Sequence, residues 1–307
     1  MAPTKEQRAV LEIVDRSLQS YAPEIRVPLL LEPAELLGML TKGINRNPEW
    51  FYVRSFSMAH TATEGMIYPH YLYPRQQAQH LQARCESTVY RLIGRIRAAG
   101  EYERVLQAHD LLCRNVLYEK SGERDTHSIV GPFVRKRAVC EGFSKALKYM
   151  LNRMKIPSLI VVGDVAEGCH AWNMVCLDGK WTHIDLTYDA AYSRSGVQRY
   201  DYFGLTAQEI RRDHSFPQDD YPAADCPDFG YYRRNGLLVQ SREELKKRIR
   251  KGLLAGQTNF VFQLPAEAAA EELRSELRAI LSGSSLVGTY TLSINMSRRV
   301  FHLRLNR

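Results

Sequence analysis

No stretch of this 307-residue chain approaches the roughly 18 consecutive apolar residues of a membrane-spanning helix, so no membrane span is expected. The six cysteines (Cys85, Cys113, Cys140, Cys169, Cys176 and Cys226) include no C-x-x-C pair and no dense regular spacing. That excludes a disulfide framework and leaves free thiols in a reducing compartment as the expectation. Cys140, Cys169, His170, His183 and Asp185 include suitable zinc ligands, but no paired C-x-x-C or H-E-x-x-H spacing organises them, so neither a metal nor a cofactor is expected. Internal repeats and low-complexity tracts are also missing, which sets aside solenoids and disordered linkers. The first twenty residues put Glu and Asp among their apolar positions instead of forming an uninterrupted apolar stretch, so a cytoplasmic location is expected over a secreted one.

What is present is ordinary for a soluble globular protein, with 45% hydrophobic and 25% charged residues. The net charge is +8, and its densest run is Lys246-Lys247-Arg248-Ile249-Arg250-Lys251. Without a recognisable binding motif this run reads as a solvated helix face, and no nucleic-acid partner is expected.

Apolar residues recur at helical spacing over Thr4–Tyr21 and Glu32–Lys42, with Pro33 suited to a helix start. WFYVRSFS and GMIYPHYLY predict two strands, and Pro69 confines the second to an edge or a bulge. Helical spacing then runs from Arg75 to Ala99, where Gly100 is a good stop, and from Glu101 to Asn115. After Gly230 the pattern predicts a helix from Glu243, the strand NFVFQL, a helix over Ala266–Leu281, and a hairpin of VGTYTLSIN with RRVFHLRLN.

The middle of the chain carries the chemistry. In RKRAVCEGFSKALKYMLNRMKIP the helical pattern starts near Phe143 and stops at Pro157, which puts Cys140 at or just before a helix N-terminus. The helix dipole, unpaired N–H groups and the nearby Arg135, Lys136 and Arg137 would each stabilise a thiolate there. The alternative reading is a small buried hydrophobe, as most free cysteines are. Next come the strand SLIVVGDV and a hairpin of GCHAWNMVCL with KWTHIDLTYD around Asp178-Gly179. A two-residue turn makes Leu177 face Lys180, His170 oppose Thr187 and Asp185 oppose Trp172. His170 and Asp185 are then diagonal neighbours on one face, within reach of a base and its orienting acid. His183 shares that face, and spacing alone does not choose between the two histidines.

The words VCEGFSKA, HAWNMV, DGKW and HIDLTYD, in this order, resemble the core of the transglutaminase-like superfamily of bacterial proteins, over about residues 105–235. Tyr188 stands where that family often has tryptophan, and Phe143 where tyrosine is common. The resemblance implies a nucleophile at Cys140, its histidine at His170 in preference to His183, and the acid at Asp185. It also implies an α+β, papain-like fold: a helix bearing the cysteine, packed on an antiparallel sheet bearing the histidine and the acid. An N-terminal helical or α+β extension (1–104) and a C-terminal α+β appendage (236–307) would flank the catalytic core (105–235). Tyr118 is a candidate oxyanion donor beside the Cys140 N–H, and Trp172 a candidate shield of the triad or wall of the substrate cleft. The expected activity passes through a thioester acyl-enzyme and hydrolyses a peptide or protein amide. Transfer to an amine, which cross-links proteins, and a non-catalytic scaffold of the same fold are the alternatives.

Overall fold

The computed structural model describes residues 4–120, 122–193, 197–264, 275, 277–279 and 289–306. Among the described residues no helix is long and apolar enough to cross a membrane. The chain opens with α1 (Lys5–Gln19), β1 (Ile25–Pro28), α2 (Pro33–Arg46), β2 (Val53–His60) and β3 (Glu64–Tyr71). Thr4 starts α1 with a capping box closed by Gln7, and Val10, Val14 and Leu18, spaced by four, bury its inner stripe. Strand β1 was absent from the sequence expectations. It pairs with β3, so β3 is the central strand of the order β1-β3-β2 and not an edge. Pro69 is tolerated there because pairing with β1 stops at Ile67, leaving only β2 beside it, with Phe56 opposite.

Helix α3 (Arg75–Ile93) ends earlier than its spacing predicts. Gly94 caps it, and the Gly94 N–H bonds to the Tyr90 carbonyl. Gly100 is instead the N-cap of α4 (Glu101–Asn115). Glycine is a poor helix residue, so of the two glycines the first met by the propagating helix ends it.

Two-residue strands β4 (Leu117–Tyr118) and β5 (Arg137–Ala138) pair in parallel and lead into α5 (Cys140–Arg153). Phe143, Ala146, Leu147, Met150 and Leu151 are buried along α5. The helix packs on a four-stranded antiparallel sheet ordered β6 (Ser158–Val165), β7 (Gly168–Leu177), β8 (Lys180–Ile184) and β9 (Phe203–Leu205). This is the α+β arrangement expected of a papain-like core. Gly142 lets the turn at 124–127 lie against the first turn of α5, because a Cβ built there would overlap the Thr126 carbonyl oxygen. Gly142→Ala is expected to cost about 1–3 kcal/mol by overpacking, read as a lower urea midpoint at unchanged m-value.

The β7–β8 hairpin turns on Asp178 and Gly179, with φ of 48° and 78°, and pairs Leu177 with Lys180 and Asn173 with Ile184. Positive φ at both positions is the I′ turn that suits the twist of the two strands. Beyond Ile184 the expected pairing fails. Leu186 begins α6 (Leu186–Ser193), so Thr187 does not oppose His170, whose partner is Gly163 on β6. The Asp185 carboxylate draws the chain out of the strand, since its Oδ1 accepts the N–H groups of Thr187 at 2.9 Å and Tyr188 at 3.3 Å and caps the new helix.

After β9 come the short α7 (Ala207–Ile210) and α8 (Tyr231–Arg234), then α9 (Arg242–Leu254), β10 (Asn259–Gln263), β11 (Thr289–Asn295) and β12 (Val300–Asn306). The last three strands form a sheet ordered β10-β12-β11, and Leu245, Ile249 and Leu253 of α9 join Phe260, Phe301 and Leu303 in one apolar cluster. Lys247, Arg250 and Lys251 of the basic run are exposed, while Arg248 pairs with Glu244 at 2.5 Å. The helix expected over Ala266–Leu281 lies outside the described residues apart from 275 and 277–279.

Candidate active site

Cys140 is the first residue of α5, half-buried where the helix meets β7. Two buried polar side chains fasten that junction. Ser144 Oγ lies 2.8 Å from the Cys140 carbonyl and 2.9 Å from the Ala171 carbonyl, and Asn173 Nδ2 donates to the Ser144 carbonyl at 3.0 Å. His170, on β7 and 7% exposed, donates from Nε2 to Asp185 Oδ2 at 2.7 Å. That leaves Nδ1 free of Asp185, and His170 and the Ala171 N–H both act on the Cys140 thiol. Cysteine, histidine and aspartate thus meet at the end of a helix, inside a strand and at a strand–helix junction.

Burial pushes the Cys140 thiol up, but the hydrogen bond and charge of His170, with the Ala171 N–H, outweigh it and hold the thiol below its ordinary value. Burial likewise works against the His170 imidazolium, yet the charge and hydrogen bond of Asp185, together with Cys140, raise it to about 10. Asp185 is fully buried, which alone would raise it; the charge and hydrogen bond of His170, joined by those of His214, hold it well below the usual carboxylate range. These shifts all favour a thiolate–imidazolium pair over a carboxylate. The neighbouring basic residues do not supply the charge that the sequence suggested. Arg135 is engaged by Asp125 at 2.9 Å, Arg137 by Glu119 at 3.0 Å, and Lys136 donates to the Phe133 carbonyl.

A cleft of about 620 Å³ opens over these groups, lined by Tyr118, Val139, Cys140, Cys169, His170 and Tyr188 among others. A second hollow of about 670 Å³, near Tyr73, Arg124 and Asp125, has neither Cys140 nor His170 in its lining. Tyr118 therefore shares a cleft with Cys140 and His170. Trp172 does not line the cleft: it is 1% exposed, its ring stacked 6.0 Å from that of His170 and edge-on 4.9 Å from His214. Its indole N–H donates to His183 Nδ1 at 3.1 Å. His183 is fully buried behind it and kept neutral, pushed down to about 3 by burial and by the charges of His214 and Arg211.

The sequence reading missed His214, whose Nε2 also reaches Asp185 Oδ2, at 3.1 Å. His214 belongs to no motif and stands 29 residues from its partner, so no local signal marks it. His170, Asp185 and His214 bring possible metal-donor atoms within 4.8 Å of one another. Both imidazoles, however, aim Nε2 at one carboxylate oxygen, the geometry of two N–H donors sharing an acceptor. Holding a metal would require both protons to leave.

Residues 90–186 match the model of the transglutaminase-like superfamily, a span that includes Cys140, His170 and Asp185. No curated protein matches the sequence. Among solved structures, the chain is similar to a TGase (16% identity, TM-score 0.32, covering 53% of this chain and 50% of that one). It is also similar to a candidate cysteine protease from Cytophaga hutchinsonii (15%, TM-score 0.30, 44% and 62%). A third is the periplasmic domain of TgpA from Pseudomonas aeruginosa bound to ethylmercury (17%, TM-score 0.28, 43% and 58%). The chain thus spans half of the TGase and less than two thirds of the other two.

Proposed function

We propose, from the premise that residues 90–186 are a transglutaminase-like core, that this chain is a cysteine hydrolase of peptide or protein amides with Cys140, His170 and Asp185 as its triad. The observation that supports it is that Cys140 and His170 line one cleft of about 620 Å³, with His170 held by Asp185 at 2.7 Å and lowering the Cys140 thiol. The Cys140 thiolate attacks the amide carbonyl. The oxyanion that forms is held by the Cys140 backbone N–H at the α5 N-terminus, and we assign Tyr118, on the cleft wall, as the second donor. His170 protonates the departing amine, leaving a thioester on Cys140. As a neutral base it then takes a proton from water, which attacks the thioester and frees the acid. Asp185 fixes the His170 tautomer that directs Nδ1 at sulfur. The proposal keeps 105–235 as catalytic core between extensions 1–104 and 236–307.

The test is incubation of the purified chain with a mixture of glutamine- and asparagine-containing peptides and blocked peptide amides, with and without a primary amine, followed by mass spectrometry. Hydrolysis products that ignore the amine and vanish in Cys140→Ala are expected. Amine adducts as the main product would assign amine transfer instead. Identical product lists from both proteins would leave a scaffold.

A further inference from the structure

His214 follows α7 and is 3% exposed, at the back of the proposed triad. Its Nε2 lies 3.1 Å from Asp185 Oδ2, the oxygen that His170 reaches at 2.7 Å, and its Nδ1 lies 2.8 Å from Asp213 Oδ1. A ring facing a carboxylate oxygen from each nitrogen carries a proton on each, because a bare nitrogen lone pair would repel either oxygen. Asp213 is itself held as an anion: Tyr202 donates its hydroxyl to Oδ2 at 2.7 Å, and Arg298, buried between β11 and β12, reaches Oδ1 at 3.2 Å. The remaining faces are closed by Trp172 and Tyr188, with centroids 4.9 and 5.3 Å away, by His170 at 5.5 Å and by Tyr202 at 5.6 Å, while His183 feels the positive charges of both His214 and Arg211. From the cleft inward the groups alternate in the sign they carry when ionised: Cys140, His170, Asp185, His214, Asp213, Arg298.

We propose that His214 is a positioning residue of this site, a buried cation held between Asp185 and Asp213 that fixes the carboxylate oxygen on which His170 is hung. The inference rests on the triad reading of Cys140, His170 and Asp185. It also has a direction of its own. A positive charge behind the pair favours the thiolate and opposes the imidazolium, so it lowers the pH at which the pair forms and the pH at which His170 loses its proton.

The experiment is the pH dependence of Cys140 alkylation by iodoacetamide, followed by mass spectrometry, in the full chain and in His214→Gln, which can keep a donor toward Asp185 without the charge. Both inflections of the profile are expected to move upward by about one pH unit. Slower alkylation by one factor at every pH, with both inflections unmoved, would reduce His214 to a packing residue and overturn the proposal. If His214→Gln does not fold, Asp213→Asn removes the anion that holds the second proton, and the same upward movement is required of it. A wild-type profile without a low-pH inflection would fail the triad reading itself, a result seen before any variant is made.

Discussion

In His170→Ala, alkylation of Cys140 by iodoacetamide at pH 6 is expected to fall by about two orders of magnitude, because an ordinary thiol is almost wholly protonated there. The wild-type thiol is lowered against the pull of burial by His170, its hydrogen bond first and then its charge. Alanine removes both and leaves the burial, which acts in the opposite direction. The other cysteines calibrate the measurement within the same molecule. Cys85 is fully buried, which pushes its thiol up to about 12, so it should stay unmodified in either protein. Cys169 is exposed one residue from His170 and reports the rate of an accessible thiol on the same strand. Mass spectrometry of the alkylated peptides reads all three together. Equal Cys140 rates in the two proteins, or a wild-type rate no faster than that of Cys169, would sink the ion-pair account.

Asp185→Ala is expected to lower stability by about 3–5 kcal/mol at pH 6, the usual cost of removing one partner from a buried charged cluster. The carboxylate is fully buried and receives His170, His214 and the N–H groups of Thr187 and Tyr188, so its loss strands two imidazoles and uncaps α6. The pH dependence has a definite sign. The folded carboxyl lies well below its ordinary 3.8, so its contribution is complete above that value and is lost as pH falls toward the folded one. His170 is raised from 6.5 to about 10, so its share is complete below 6.5 and is lost as pH rises toward about 10. The gap between wild type and variant should therefore be widest between about pH 4 and 6.5 and should narrow on both sides. Urea unfolding of both proteins at pH 3, 5, 7 and 9 measures it. A gap below about 1 kcal/mol, or one that does not change with pH, would mean that Asp185 is not the charge centre of this network.

The features legible from residue order are those whose causes are local. Helix α1 follows from Val10, Val14 and Leu18 at a spacing of four and from the Thr4–Gln7 box, and the β7–β8 register from the turn chemistry of Asp178-Gly179. The position of Cys140 at a helix start follows from where the apolar period begins and where Pro157 ends it. Less legible were elements held by partners from elsewhere. Strand β1 has only four residues and forms because β3 offers it an edge. The end of β8 depends on the Asp185 carboxylate choosing the N–H groups of α6 over a continued ladder. Arg135, Lys136 and Arg137 looked like activating charges, but Asp125 and Glu119, distant in sequence, take up two of them.

The same division runs through the site. Periodicity and turn residues were enough to put Cys140 at a helix start and His170, His183 and Asp185 around one hairpin, because a helix start and a two-residue turn are settled within a few residues of chain, whereas the preference for His170 came from the resemblance to the transglutaminase-like superfamily. Burial of Trp172 and neutrality of His183 arise only when the region around Phe216 packs beneath the sheet. The second cation on Asp185, its fastening by Asp213, and the reach of Arg298 from the last hairpin belong wholly to the tertiary structure. Charges separated by tens of residues are brought within hydrogen-bond distance by the packing of the whole chain, and what a buried charge does depends on which others share its low-dielectric surroundings.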